Sequence, residues 1–297
     1  MADGKRAVES DRVWTTLITN NAYLSGLLTL DFSLKQHKSK YPLVALYTDS
    51  FPETGRAALA ARGIPAQRIE YLLPTQGKDY SNDPRFYDCW SKLTPFSLEQ
   101  YARVVQLDSD MLVLRNMDEL MEMALDDPAN VIKGEGSRVF AAGHACPHYP
   151  ADWVPANCAF THQHADPERA QDEGIDPAVV NPSKQVFSQI VDYMESHAVN
   201  MDFADQSVLS DLYRGRWVPL PYVYNALKTL RWEGVHAPIW RDDRVKNVHY
   251  ILAPKPWDEV DAQGKFVGTD ESHGWWVRVN NERLAWEKEN GVAADGF

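Results

Sequence analysis

Apolar positions in this chain fall into short β-branched runs that alternate with segments of helical spacing. Residues 13–19 (VWTTLIT) form the first run and are closed by Asn20 and Asn21, which predicts a strand followed by a helix cap. Leu27, Leu30 and Leu34 then recur at three- and four-residue spacing, widened by Leu24 and Leu28, and predict a helix over residues 23–37 packed on a sheet. Residues 43–47 (LVALY) read as a second strand, the Ala-rich residues 54–62 as a helix stopped by Gly63, and residues 68–72 as a third strand. Such alternation implies a parallel sheet wrapped by helices through right-handed crossovers. Residues 74–84 are polar and rich in turn formers, and residues 91–101 return to a helical pattern with Lys92 near its start.

The next run is the most informative. Residues 103–114 read RVVQLDSDMLVL: an apolar strand delivers Asp108 and Asp110, and a second apolar run leaves at once. Side chains two apart in an extended segment point the same way, so the two carboxylates share a face. Hard oxygen ligands at the carboxyl end of a strand suit magnesium or manganese holding substrate phosphates. By itself the pattern is no more than an acidic turn, and this is the only Asp-x-Asp in the sequence.

Further along, the spacing predicts a short helix over 118–123, a strand over 130–133, an irregular insertion over 134–182, and helices over 183–197 and 202–213. The insertion carries His144, Cys146, His148, Cys158, His162 and His164, whose spacings do not match structural zinc patterns. Residues 218–224, interrupted by Pro219 and Pro221, read as an edge strand or lining loop. Residues 246–251 (KNVHYI) predict a late strand that sets His249 between apolar neighbours, and residues 282–289 a last helix. A lone histidine on a strand ordinarily packs.

Composition narrows the classes. The chain has 297 residues, 44% hydrophobic and 24% charged, with net charge −12, enough for one large α/β domain and the wrong sign for nucleic acid or an anionic membrane surface. The opening MADGKRAVESDR lacks an apolar h-region, and no run approaches 18 apolar residues, so neither a secretion signal nor a membrane span is expected. Three cysteines without CxxC spacing fit a reducing, cytoplasmic setting.

Seven segments in order, TLITNNAY, SKL, LDSDMLVL, NPS, FADQ, PYVYN and VHYILAPKPW, resemble family 8 of the retaining glycosyltransferases, the group of glycogenin and plant galactinol synthase. The resemblance spans about residues 12–258 and is closer to the galactinol synthase branch in YPLVALYTDSFPETGRAALAARGI and in PLPYVYNALKTLRW. It implies an α/β fold: a single nucleotide-diphosphosugar transferase domain of the GT-A type, with a mixed, mostly parallel sheet. The expected organisation is a flexible 1–11, a transferase domain over 12–258, and a C-terminal extension over 259–297 with a helix packed on the domain.

The resemblance also implies roles. Asp108, Asp110 and His249 fall on the family's manganese ligands, with Ser109 between the two acids. Leu17, Thr19, Asn20 and Tyr23 fall where uracil and ribose are held, and Lys92 and Lys255 where donor phosphates and sugar are touched. Asp205 and Gln206 match an acidic-Gln pair beside the donor sugar, and Asn225 lines the same region. Asp205, Gln206 and Lys92 are thus the expected catalytic residues. The implied partners are UDP-galactose or UDP-glucose with manganese, and a small polyol or sugar acceptor, with a homodimer left open. One segment departs from the pattern. Where the family has an Asn-x-Gly strand running toward Pro-Ser, this chain reads DEGIDPAVV before Asn181, with Asp176 and Pro177 at the small positions. Asn157, Cys158 and Ala159 are the alternative for that strand. The departure raises a second expectation, a UDP- and metal-binding relative of impaired activity. A third, a self-glucosylating primer, needs a tyrosine soon after Asn225; none occurs before Tyr250, and Trp232 stands near the place.

Overall fold

The computed structural model describes residues 5–143, 158–172 and 176–297. His144, Cys146, His148 and Asn157 lie outside the described residues. Strand β1 (Arg12–Ile18) is the axis. It pairs in parallel with β2 (Leu43–Tyr47) on one side and β4 (Arg103–Leu107) on the other. The short β3 (Ala66–Arg68) extends the parallel half. Beyond β4, β7 (Asp176–Val180) runs antiparallel, followed by β6 (Phe140–Gly143) and β8 (Val218–Pro219). The seven-stranded order is β3-β2-β1-β4-β7-β6-β8. A second, three-stranded sheet has the order β5-β10-β9, with β5 (Met111–Val113), β9 (Ala226–Leu227) and β10 (Asn247–His249).

Alternation along β1 explains the layers. Val13 joins a core with Val44, Val104 and Phe140, and Trp14 joins the opposite core with Ala45, Val105 and Leu27. Helix α1 (Leu24–Gln36) covers the second face, and α2 (Glu53–Ala61) adds Ala58 and Leu59 to it. The first face is covered by α6 (Lys184–His197) and α7 (Ala204–Leu212), whose Val186, Ile190, Met194 and Val208 are buried there. Shorter helices are α3 (Arg85–Cys89), α4 (Pro128–Ile132) and α5 (Ala159–His162). The last helix, α8 (Glu271–Glu289), packs Trp276, Val277 and Val279 on the small sheet and meets α1 through Thr29 and Asn280. Among the described residues no helix is long and apolar enough to cross a membrane.

Several elements differ from their sequence patterns. Residues 130–133 belong to α4 rather than a strand: Asp127 accepts a hydrogen bond from the Ala129 amide, Pro128 occupies the first turn, and only Val131 is buried. The helix expected over 91–101 is a 3-10 stretch, Trp90–Ser97, entered through α3. Pro95 inside it supplies no backbone donor and cannot sustain an α-helical ladder. The third strand ends at Arg68, and α8 begins at Glu271, where Asp270 caps it, well before residue 282. Within the DEGIDPAVV departure, residues 176–180 form a strand all the same, because β7 pairs with β4 through Val179 and Val180. Cys158 and Ala159, the alternative, instead begin the helical turn α5.

Candidate active site

The pairing of β5 with β10 brings the separated residues together. His249 stands opposite Met111, and the Tyr250 amide donates to the Asp110 carbonyl at 2.9 Å. The imidazole therefore sits beside a turn that leaves β4 at Asp108 and enters β5 after Asp110. His249 Nε2 lies 3.4 Å from Asp108 Oδ2 and 3.2 Å from Asp110 Oδ1. Its other nitrogen, Nδ1, is 2.9 Å from Asn225 Oδ1. A carboxamide oxygen only accepts, so Nδ1 donates to Asn225, and Nε2 is the nitrogen turned to the two carboxylates: protonated it donates to them, and deprotonated it could join them as a metal ligand.

Each carboxylate divides its oxygens in the same way. Asp108 gives Oδ1 to Lys92 Nζ at 2.7 Å, and Asp110 gives Oδ2 to Lys255 Nζ at 2.5 Å, so the oxygens left over are those facing His249. The three ligand atoms, one from each of Asp108, Asp110 and His249, lie within 4.8 Å of one another and could hold a metal ion. Around a small octahedral cation with bonds near 2.1 Å, adjacent ligands stand about 3.0 Å apart, close to the two separations between His249 and the carboxylates. Two carboxylate oxygens and a neutral imidazole nitrogen form a donor set suited to manganese or another first-row divalent ion.

The electrostatics are set by burial and by these partners. Burial alone would push the Asp110 carboxyl up, but His249 and Lys255 outweigh it and hold it well below the usual carboxylate range. Burial likewise works against the Lys92 ammonium, and Asp108, Cys89 and Asp205 more than offset it, so Lys92 stays charged. Asp205 behaves in the opposite way. It is half-buried at the start of α7, and burial pushes its carboxyl up to about 7, with Lys92 pulling it down and Asp108 pushing it up.

Asp108, Asp110, His249, Lys92 and Lys255 line a cleft of 300 Å³, whose lining includes Gln206 but not Asp205. Leu17, Thr19, Asn20 and Tyr23, from the end of β1 and the turn into α1, line it together with Lys92, Asp108, Ser109, Asp110, Gln206, His249 and Lys255. Asn225 adjoins through His249. Tyr23 is held edge-on to Trp257 at 5.7 Å, and Lys255 Nζ lies 5.6 Å from the Tyr23 ring centre. Some of the expected residues already have partners: Thr19 donates to Asp88 at 2.7 Å, Asn20 caps the Ala22 amide, and the Ser109 hydroxyl ties the acidic turn to β1 by donating to the Leu17 carbonyl at 2.9 Å. Sequence reading passed over Arg85, Phe86 and Asp88, which also line the cleft. Their signal was faint, since they sit on one turn of helix directly after a polar loop. A wider groove of 810 Å³, between the end of α1 and α8, brings together no comparable set of ligands.

No protein-family model matches the chain. Galactinol synthase 1 of Ajuga reptans is 27% identical over 297 residues, covering 95% of this chain and 84% of that protein. The chain is thus similar to galactinol synthase along nearly its whole length. Among solved structures, galactosyltransferase LgtC in complex with donor and acceptor sugar analogues superposes with a TM-score of 0.57 at 17% identity, covering 91% of this chain and 96% of that one. The apo glycosyltransferase GlyE of Streptococcus pneumoniae TIGR4 gives 0.56 at 18% identity over 95% of this chain, which spans 64% of its length. Likeness at these identities establishes a shared fold, that of the GT-A glycosyltransferases, and the galactinol synthase relationship extends along nearly the whole chain.

Proposed function

We propose that the protein is a manganese-dependent retaining hexosyltransferase that moves galactose or glucose from a UDP-sugar to a hydroxyl of a small polyol or sugar. The observation that carries this reading is the convergence of Asp108, Asp110 and His249 in one cleft with two lysines. Three ligands of this kind leave coordination positions open for a diphosphate, and Lys92 and Lys255 supply the charge that a diphosphate meets. Similarity to galactinol synthase supports the donor and acceptor class.

In this reading Tyr23 and Leu17 receive the uracil, and Asp108 and Asp110 orient the diphosphate through the bound ion. The manganese supplies Lewis acidity to the UDP leaving group. Lys255 and Lys92 add positive charge where the departing phosphate becomes more negative. Asp205 and Gln206 stand beside the donor sugar, where a carboxylate stabilises an oxocarbenium-like centre. Retention then follows either from attack on the face that the phosphate leaves, with the phosphate accepting the acceptor's proton, or from double displacement at Asp205. The test is UDP release on incubation with UDP-galactose or UDP-glucose, manganese and myo-inositol. Donor- and manganese-dependent release is expected, and no release with any donor and a panel of polyol and sugar acceptors would overturn the reading.

The Asp176 and Pro177 departure supports a second reading, a relative that holds UDP and metal without turnover. Manganese-dependent UDP binding, with no preference for UDP-sugar over UDP and no release, would favour it. A self-glucosylating primer is less well supported, since Trp232 has no hydroxyl to glucosylate and its indole donates to Asp270 at 3.1 Å.

A further inference from the structure

A second set of polar side chains is buried beneath the segment that carries Lys255. Lys228 follows β9 and is 2% exposed. Its Nζ donates to the Pro254 carbonyl at 2.9 Å and to His273 Nε2 at 3.0 Å. His273, in the first turn of α8 and 1% exposed, donates from Nδ1 to Glu259 Oε2 at 2.6 Å. The carboxylate fixes the tautomer, so Nε2 is the acceptor and Lys228 the donor. Glu259 is seated in turn on Gly268, where an added Cβ would fall 2.3 Å from Glu259 Oε2. Side chains from three separate elements are thus chained to one main-chain carbonyl, that of the residue immediately before Lys255.

Burying an ammonium costs several kcal/mol, and an unbranched apolar side chain would fill the same space without that cost. Lys228 faces Lys255, which disfavours its charge, and Asp270, Glu259 and Asp110, which favour it; burial dominates, and its ammonium is held below the usual lysine range. The segment it grips is held at its far end by the Lys255–Asp258 bonds. Leu252 adopts φ 61°, and the Lys255 amide is bonded to Asp258 at 2.9 Å. Lys255 must aim its Nζ at Asp110 Oδ2 and the Tyr250 carbonyl, at 2.5 and 2.6 Å. Register adds a second link, because Leu227, the residue before Lys228, pairs with His249.

Building on the donor-binding reading above, we propose that Lys228, held by His273 and Glu259, is a positioning residue that sets the 252–255 segment so that Lys255 meets the donor diphosphate. Through this relay α8 serves the cleft from a distance, while the 3-10 turn Pro256–Glu259 also supports it through Trp257 on Tyr23.

The test uses full-length protein and two variants, Lys228→Met and Glu259→Gln, the second leaving Lys228 in place should the first not fold. Hydrogen exchange at the Lys255 and Asp258 amides reads the position of the segment without any donor. Exchange there is expected to quicken at least tenfold in both variants, with α1 and β1 unchanged. UDP affinity in manganese is expected to fall about tenfold in Lys228→Met and less than twofold when the same change is made in a Lys255→Ala background. Wild-type exchange in the folded variants, or an equal loss of affinity with and without Lys255, would overturn the proposal. A wild-type protein that binds no UDP while the variants still exchange faster would overturn the donor reading and with it the role given to Lys255, but not the anchoring of the segment.

Discussion

His249 has two ring nitrogens, and the fold gives them different tasks: Nδ1 is tied to Asn225, and Nε2 is left to face Asp108 and Asp110. Asp205, nearby, is a carboxyl whose charge the fold disfavours. Its carboxyl is raised to about 7 by burial, against an unfolded value near 3.9. The folded protein therefore binds more protons than the unfolded chain between those values, and stability falls as pH rises through that window. Replacing Asp205 with Asn removes the charge while preserving shape. We expect Asp205→Asn to melt together with wild type at pH 4, to gain on it progressively up to pH 7, and to stay ahead at pH 8, by roughly 1–3 kcal/mol. Thermal melts of metal-free protein across that range measure it; a variant less stable than wild type at pH 8 would contradict the electrostatics. The same variant should transfer sugar at least about a hundredfold more slowly.

At the scale of elements, the site depends on how closely α1 approaches the acidic turn. A Cβ placed on Gly26 would lie 2.3 Å from the Ser109 carbonyl oxygen and 2.8 Å from the Trp257 ring. Alanine ordinarily favours a helix over glycine by about 1 kcal/mol, yet here backbone must move to admit it. Gly26→Ala is expected to lower stability by about 1–3 kcal/mol in urea titrations and to weaken UDP binding with it; a stabilised variant with full affinity would show the approach to be looser. Elements with strong periodicity were legible from sequence: β1, α1, β2 and α6 stand within a residue or two of their patterns. Asp127 and Pro128 turned residues 130–133 helical because local capping outweighed a weak β-branched pattern. The start of α8 was hidden because its buried face mixes Trp276 and Val277 with Ser272, His273 and Arg283: Ser272 is bonded to the cap Asp270, His273 to Lys228 and Glu259 outside the helix, and Arg283 to Asn280, Glu287 and the Phe297 carbonyl.

Across the whole molecule, the acidic pair was visible as a pattern, but His249 became a candidate ligand only through family resemblance, since its partners come from the pairing of β5 with β10. The relay from Glu259 to Lys228 had no sequence signature, as its members belong to three elements that only the folded chain assembles. The net charge of −12 makes the pair of lysines in the cleft the more telling, because an acidic protein that receives a diphosphate must concentrate positive charge locally. The central claim is that Asp108, Asp110 and His249 hold a divalent ion that in turn holds UDP. Calorimetric titration of UDP into wild-type and His249→Ala protein, with and without manganese, tests it most directly. The account predicts manganese-dependent binding to wild type and at least a thirtyfold loss in a variant that melts within a few degrees of wild type. A folded His249→Ala protein that binds UDP with wild-type affinity and the same manganese dependence would contradict it.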